Sequence, residues 1–166
     1  MAEWSKPIQE KQHRLPRSSY VGEAIVSFTA RIADRRHIFT ETGIVNECLA
    51  MLQDAADPQS CVVPVYCFMP EHVHVVLQGL SPASDVWRSF VGFKQRTGYW
   101  FKKERIGCRW QKDFHDHIIR PGEDWPAHVR YIAANPVRAG LVERWDLYPY
   151  TGSIGYDLDA LLMEAM

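Results

Sequence analysis

The sequence lacks the features that mark membrane-spanning, secreted and zinc-thiolate proteins. Its 166 residues include no apolar run of 18 residues, so we expect no transmembrane helix and no membrane partner. The amino terminus has no hydrophobic signal core, which argues against secretion. The four cysteines, Cys48, Cys61, Cys67 and Cys108, form no C-x-x-C pair. We therefore expect buried or incidental thiols in a reducing compartment, which makes the protein cytoplasmic.

Net charge is almost absent, at −1 for the whole chain, but the charges are unevenly distributed. Residues 88–112 contain eight basic residues and one acid, Glu104, so this segment alone carries eight minus one, or +7. Polarised charge of this kind steers polyanions. Aromatic residues such as Phe93, Tyr99 and Trp100 are interleaved with the cations, a combination that suits single-stranded DNA. The alternative is an ordinary amphipathic helix with a solvated charged face.

Hydrophobic periodicity predicts the order β-α-β-β-α-β followed by one more helix. The predicted strands cover 24–31, 61–69, 72–78 and 114–120, and the predicted helices cover 41–56, 84–103 and 124–135. This order is typical of a ferredoxin-like, RRM-like α+β fold, in which helices pack on one face of an antiparallel sheet. We divide the chain into a basic arm (1–19), a catalytic domain (20–142) and a tail packed on that domain (143–166), with a short last helix from Asp157.

Two histidines interrupt an apolar strand. His72 and His74 are two residues apart, so they project from the same face, with Cα atoms about 6.6–6.8 Å apart. Val73 and Val75 point to the opposite face, towards a core. Two imidazoles on a rigid sheet form half of a metal site. The alternative is a pair of surface histidines on an amphipathic strand.

Tyr131 and Asn135 are four residues apart on a predicted helix and therefore share one face. If that face meets the histidine pair, two nitrogens and an amide oxygen can hold a divalent cation with positions left open. A neighbouring tyrosine hydroxyl is a competent nucleophile for phosphoryl transfer. Tyr131 could instead be a core tyrosine, and without the histidines that would be the better interpretation.

Both motifs resemble those of one family. The segment Pro70-Glu71-His72-Val73-His74 resembles the HUH motif (histidine, bulky hydrophobic, histidine) of single-domain tyrosine transposases. Residues 131–142, with the sequence YIAANPVRAGLV, resemble the tyrosine-helix signature of the REP-associated branch. Trp110-Gln111, together with Phe114, His117 and Arg120, is also similar to that branch. The match covers most of residues 14–156.

The resemblance implies a role for each matching residue. His72, His74 and Asn135 would hold Mg²⁺ or Mn²⁺, and Tyr131 would attack the scissile phosphate to form a 5′-phosphotyrosine. Glu71 would orient the first histidine, unless it serves only the turn. Substrates in this branch are single-stranded DNA next to hairpins, the REP elements, and we expect a monomer with the tyrosine acting in cis. The predicted DNA-binding residues are Arg14, Arg17, Arg88, Lys94, Arg96, Lys102, Lys103, Arg109, Trp110, Lys112, Arg120 and Arg138.

Other residues compete for these roles. His115 and His117 form a second H-x-H on a predicted strand, and we favour a structural or DNA-contacting role for them over metal binding. Tyr148 and Tyr150 are nucleophiles by residue type only and are expected to pack. The sequence thus favours a metal-dependent enzyme that nicks and joins DNA. The alternatives are a non-cutting module that binds structured DNA or RNA, and a metal-dependent nuclease that uses water.

Overall fold

Five strands form one antiparallel sheet in the computed structural model, which describes residues 14–164. The strands are β1 Ile25–Arg31, β2 Cys61–Met69, β3 His72–Gly79, β4 His115–Ile119 and β5 Thr151–Ile154. Their order across the sheet is β4-β1-β3-β2-β5, so the two-histidine strand lies at the centre. Every pair of neighbours is antiparallel. The α+β fold predicted from the sequence is confirmed.

Aspartate side chains cap the first turns of two helices. The helices are α1 Thr42–Ala56, α2 Val86–Lys103, α3 Trp125–Ala133, α4 Asn135–Arg138 and α5 Leu158–Glu164. Asp85 caps α2 by accepting a hydrogen bond from the Arg88 amide at 2.9 Å, and Asp124 caps α3 through the Ala127 amide at 3.1 Å. Such caps satisfy amides that lack a partner inside the helix.

Helices cover both faces of the sheet. On one face, Phe28, Val73 and Val75 are fully buried in a core shared with α1 and α2. On the other face, a second cluster joins Val65 and Val76 to Val129 and Ile132 of α3. The expectation that helices pack on one face only is therefore incomplete. The apolar side chains of Val65 and Val76 on this face of the sheet would otherwise be exposed to water, and α3 buries them.

The strand register gathers polar residues beneath α3. His74 lies opposite Thr29 of β1, and Thr29 lies opposite His115 of β4. His72 lies opposite Arg31, and His117 lies opposite Ser27. Residues directly opposite in a sheet share a face, so one polar row crosses three strands.

The sheet has one irregular strand and one strand that the sequence did not predict. Pro64 in β2 lies within a register shift between Val62 and Val65, because proline cannot donate to the ladder. The strand β5 was not predicted, and it pairs with β2 within the predicted tail. Residues 1–13 of the predicted arm lie outside the described residues, and the division into arm, domain and tail stays a prediction.

The cysteine side chains are free thiols, as the lack of a C-x-x-C pair led us to expect. All four cysteines are free thiols, and Cys48, Cys61 and Cys67 are buried. Burial raises the pKa of Cys67 to about 12, so this thiol is not a reactive group at neutral pH. No helix within residues 14–164 is long and apolar enough to cross a membrane.

Candidate active site

The imidazoles of His72 and His74 meet under the tyrosine helix. Their Nε2 atoms are 3.1 Å apart, and the two residues are only 5% and 2% exposed. A cation with metal–ligand bonds of about 2.0–2.1 Å places neighbouring ligands of an octahedron about 3 Å apart. The histidine pair therefore already has the separation that two ligands of one cation require.

The other nitrogen of each ring is held by a neighbour. The Nδ1 atom of His72 lies 2.6 Å from Oε1 of Glu71, and Nδ1 of His74 lies 3.0 Å from Oγ1 of Thr29. A carboxylate only accepts, so His72 donates to Glu71 and its Nε2 carries a lone pair. The Thr29 hydroxyl can donate or accept, so it allows His74 either to donate from Nε2 to His72 or to present a lone pair there.

Burial keeps the His74 ring in the neutral form that binds a cation. It lowers the pKa of His74 well below its usual value, and the neighbouring imidazoles together with the Arg31 and Arg138 guanidiniums lower it further. The His74 ring is therefore neutral, as a metal ligand must be.

Glu71 joins the histidine pair to a buried arginine. Its Oε2 accepts from the Arg31 guanidinium at 3.0 Å, and Arg31 is only 2% exposed. Burial opposes ionisation of Glu71, but the hydrogen bond from His72 and the charge of Arg31 bring its pKa below the usual value. Glu71 stays anionic and is hydrogen-bonded to the His72 ring, and its role in orienting a metal ligand stays a prediction.

A cavity of about 170 Å³ brings the predicted catalytic residues together. Its walls include His74, Tyr131 and Asn135, together with Thr29 and Ser27. Tyr131 is 46% exposed and Asn135 is 7% exposed, so the phenol lies at the mouth and the amide lies inside. The predicted continuous helix is wrong in detail, because α3 ends at Ala133 and Asn135 begins α4. Pro136 in the first turn of α4 explains the break, and the two side chains still share one cavity.

Asn135 has an unsatisfied amide inside the site. Its Nδ2 atom is buried and has no hydrogen-bond partner within residues 14–164. The two ends of a side-chain amide are assigned from their partners, and an amide without partners can present its oxygen instead. A buried amide of this kind is costly unless a ligand satisfies it. The donor set of His72, His74 and Asn135 thus fits a divalent cation.

Arg138 lies on the face of the Tyr131 ring. Its guanidinium carbon is 3.8 Å from the ring centroid, a cation–π contact. Arg138 is exposed and belongs to α4, so the break between α3 and α4 brings a positive charge back over the phenol. This arrangement places a cation beside the predicted nucleophile, where a phosphate would also lie.

The structure separates the predicted DNA-binding residues into two groups. Arg14 is partly buried in an ion pair with Asp116 at 2.7 Å, and Lys94 is partly buried and donates to the carbonyl of Gln111 at 3.0 Å. Trp110 is a correction to the prediction: it is 8% exposed and donates from Nε1 to Thr97 at 2.8 Å, so it is a core residue and cannot stack on a base. The exposed members are Arg17, Arg88, Arg96, Lys102, Lys103, Arg109, Lys112, Arg120 and Arg138.

A second, more basic cavity of about 500 Å³ lies at the end of α2. Arg36, Lys102, Arg105 and Arg109 line it. The predicted set omitted Arg36 and Arg105, although Arg105 belongs to the basic segment 88–112. Arg105 has a positive φ of 54°, which turns the chain sharply after α2 and returns it to the sheet. The cations come from two separate segments, and only the fold assembles them.

Two further residues of the active-site cavity escaped the sequence analysis. Ser27 and Thr29 line the cavity beside His74. They alternate with apolar Val26 and Phe28 along β1, so a polar stripe was present in the sequence. In the rival histidine pair, His117 contacts Glu123 at 3.1 Å, and His115 lies opposite Thr29 in the sheet. Tyr148 is buried and bonds the Phe68 carbonyl, so it packs as expected.

Comparison with known proteins identifies what the chain is similar to. Residues 21–120 match the family described as "Transposase IS200 like". A protein of Escherichia coli named as a REP-associated tyrosine transposase is 31% identical over 94 residues, which cover 54% of this chain and 52% of that protein. A protein of Haemophilus influenzae assigned to the same group is 25% identical over 147 residues, covering 81% and 82%.

Solved structures show the same fold. The structure of a REP-associated tyrosine transposase bound to a REP hairpin matches with a TM-score of 0.69 at 20% identity, over 86% of this chain and 82% of that one. A transposase-like crystal structure from Deinococcus radiodurans matches with a TM-score of 0.51 at 16% identity, over 75% and 96%. The family match ends at Arg120, so it includes the histidine pair but neither Tyr131 nor Asn135.

Proposed function

The chain belongs to the family of IS200-like transposases, enzymes that cleave and join DNA, and we propose that it nicks and rejoins single-stranded DNA through a covalent bond to Tyr131. The observation that carries this proposal is the 170 Å³ cavity, which is lined by His74, Tyr131 and Asn135 and adjoins His72. All of these residues come from one chain. This is the arrangement that a monomer with the tyrosine acting in cis requires.

His72, His74 and Asn135 would hold Mg²⁺ or Mn²⁺. A divalent cation bound there supplies positive charge to the oxygens of the scissile phosphate. Glu71 and Thr29 keep the two rings oriented through hydrogen bonds of 2.6 and 3.0 Å. Metal dependence of the reaction is part of the proposal, and the choice between the two ions is left to the assay below.

Tyr131 performs the covalent step. Its phenolic oxygen bonds to phosphorus while the bond from phosphorus to the 3′ oxygen breaks. The phenol loses its proton and the departing 3′ oxygen gains one. The products are a 5′-phosphotyrosine and a free 3′ hydroxyl, and attack by a 3′ hydroxyl reverses the step without an external energy source. The exposure of Tyr131, at 46%, leaves it accessible to a DNA strand.

The substrate we propose is single-stranded DNA beside a hairpin, as in the complex of the structural relative. The exposed cations of residues 88–112 and the basic cavity formed by Arg36, Lys102, Arg105 and Arg109 provide contacts to phosphates. Phosphate contacts of this kind orient a strand without reading its sequence. Free thiols are consistent with a cytoplasmic site of action.

The test is a denaturing gel with a hairpin-bearing single strand labelled at either end, in Mn²⁺, Mg²⁺ or chelator. We expect a metal-dependent protein–DNA adduct that contains the 3′-side fragment. Tyr131→Phe should abolish it, whereas Tyr99→Phe, which alters a phenol that is 70% exposed on α2, should not.

Each alternative function gives a different gel. An adduct formed by Tyr131→Phe would refute the assignment of the nucleophile. Cleavage without an adduct would identify a nuclease that uses water. A shifted but uncut band with every metal would identify a binding module.

A further inference from the structure

A second group of potential ligands lies at the other end of the active-site cavity. His117 on β4, Glu123 in the following turn and His128 on α3 each offer one ligand atom, and these atoms all lie within 4.8 Å of one another. Oε2 of Glu123 is 3.1 Å from Nε2 of His117 and 3.4 Å from Nε2 of His128. We call these three residues the His–Glu–His cluster. None of them belongs to the HUH motif or the tyrosine signature.

The distances fit a tetrahedral cation. Bonds of about 2.0–2.1 Å to zinc place neighbouring ligands about 3.3–3.4 Å apart. The two contacts of Glu123 match this spacing within a few tenths of an ångström. The two histidine nitrogens, at most 4.8 Å apart, need to approach by at most about 1.4 Å to reach that spacing. The rings are stacked with centroids 5.3 Å apart, and the His117 side chain is 47% exposed, so it can rotate.

Glu123 is already oriented for such a role. Its Oε1 accepts from the Arg120 amide at 3.1 Å, which leaves Oε2 to face both histidines. A ligand that is fixed by a backbone contact binds a metal more tightly than a mobile one.

We propose that His117, Glu123 and His128 form a second metal site, which takes a borderline transition metal such as Zn²⁺. Two imidazoles and one carboxylate form a ligand set that is typical of Zn²⁺. Three protein ligands leave a fourth position for water.

Metal at this site would connect the tyrosine helix to the edge of the sheet. His117 lies on β4, and His128 lies in α3 three residues before Tyr131, so His128 and Tyr131 share one helix face. A cation bound by all three residues would join β4, the turn and α3, and would restrain the helix that carries the nucleophile. Binding at this site can be tested without DNA cleavage, because its three ligands differ from those of the histidine pair.

The experiment counts metal sites in metal-free, untagged protein. Isothermal titration with Zn²⁺ should show two equivalents in the wild type, one at the histidine pair of β3 and one at the His–Glu–His cluster. Glu123→Gln and His128→Asn should each remove one equivalent. His37→Asn, which changes an exposed histidine that belongs to neither site, should retain both.

A His72→Gln, His74→Gln background isolates the new site. Zn²⁺ should raise the Tm of this double variant, and adding Glu123→Gln should abolish that shift. Substitution with Co²⁺ should give visible absorption bands of a four-coordinate site in the double variant only while Glu123 is intact. If Glu123→Gln leaves the number of bound zinc ions and the Tm shift unchanged, the proposal is refuted. The readouts do not involve DNA, so failure here is distinguishable from failure of the nicking assay.

Discussion

Replacing Glu71 by glutamine tests whether the site is organised around an oriented histidine. Glu71 serves two donors, with Oε1 2.6 Å from Nδ1 of His72 and Oε2 3.0 Å from the Arg31 guanidinium. A glutamine offers one acceptor oxygen, so it can serve only one of them. The buried arginine loses its counter-charge in either case, and one of the two donors also loses its acceptor.

Two quantities should change, and they can be measured separately. Loss of a partner that orients a ligand lowers metal affinity about 10- to 100-fold, or about 1.4–2.7 kcal/mol. Loss of a hydrogen bond between charged groups lowers the free energy of unfolding by about 1.5–3 kcal/mol. The second effect is expected because Arg31 is 2% exposed and has little access to water.

The assay is a titration of adduct formation with Mn²⁺, at a temperature where urea denaturation shows the variant to be folded. The Mn²⁺ concentration at half-maximal rate should rise 10- to 100-fold in Glu71→Gln, whereas the rate at saturating Mn²⁺ should stay close to that of the wild type. Glu143→Gln, which changes an exposed carboxylate, is the matched control. A lower rate at saturating metal with an unchanged midpoint would show that Glu71 acts on the reacting groups. If neither the Mn²⁺ midpoint nor the rate at saturating Mn²⁺ changes, Glu71 serves only the turn.

Three more variants address separate contacts. Thr29→Val removes the hydroxyl 3.0 Å from Nδ1 of His74 and should raise the Mn²⁺ midpoint, while Thr29→Ser should not, in the same titration. Arg138→Leu removes the cation 3.8 Å from the Tyr131 ring and should slow adduct formation about two- to fivefold by the cation–π contribution alone; an unchanged rate would contradict a role in positioning the phenol. Burial lowers the pKa of Lys94 from 10.5 to about 8. Between these two pH values the Lys94 side chain is protonated in the unfolded chain but mostly neutral in the folded chain. The unfolding free energy of the wild type, measured relative to Lys94→Met, should therefore rise by about 1–2 kcal/mol from pH 8 to 10, after allowance for partial exposure; a fall would mean that the ammonium is stabilised by its carbonyl partners.

The active-site residues were predictable because two local periodicities place them. Alternation along β3 set His72 beside His74, and a spacing of four set Tyr131 beside Asn135. The second prediction assumed one continuous helix through Tyr131 and Asn135, and that assumption is wrong. The helix breaks before Asn135, yet the near-helical backbone of Ala134, with φ −81° and ψ −5°, keeps the two side chains in one cavity.

Groupings of residues that are brought together only by the tertiary structure were not predictable, because no local periodicity in the sequence relates their members. The His–Glu–His cluster joins a strand, a turn and a helix, and no sequence period relates residues 117, 123 and 128. Trp110 was assigned to DNA because it lies in a basic segment, although the structure places it against Phe93 and Phe101 in the core. A charged segment can contain core residues, and burial depends on what the rest of the chain brings against it.

The size of the catalytic cavity limits what can enter it. A volume of about 170 Å³ corresponds to about five or six water molecules. The phosphate group and its water can occupy this space, whereas the bases and sugars of a strand must stay outside. The histidine pair is nearly inaccessible, at 5% and 2% exposure, while Tyr131 at the mouth is 46% exposed. Under the proposed function, the cavity would accept any suitably placed phosphodiester, and the choice of DNA would be made on other surfaces. The basic cavity of Arg36, Lys102, Arg105 and Arg109 is one such surface, and Arg105→Gln should reduce binding of a hairpin without changing the Mn²⁺ midpoint of adduct formation.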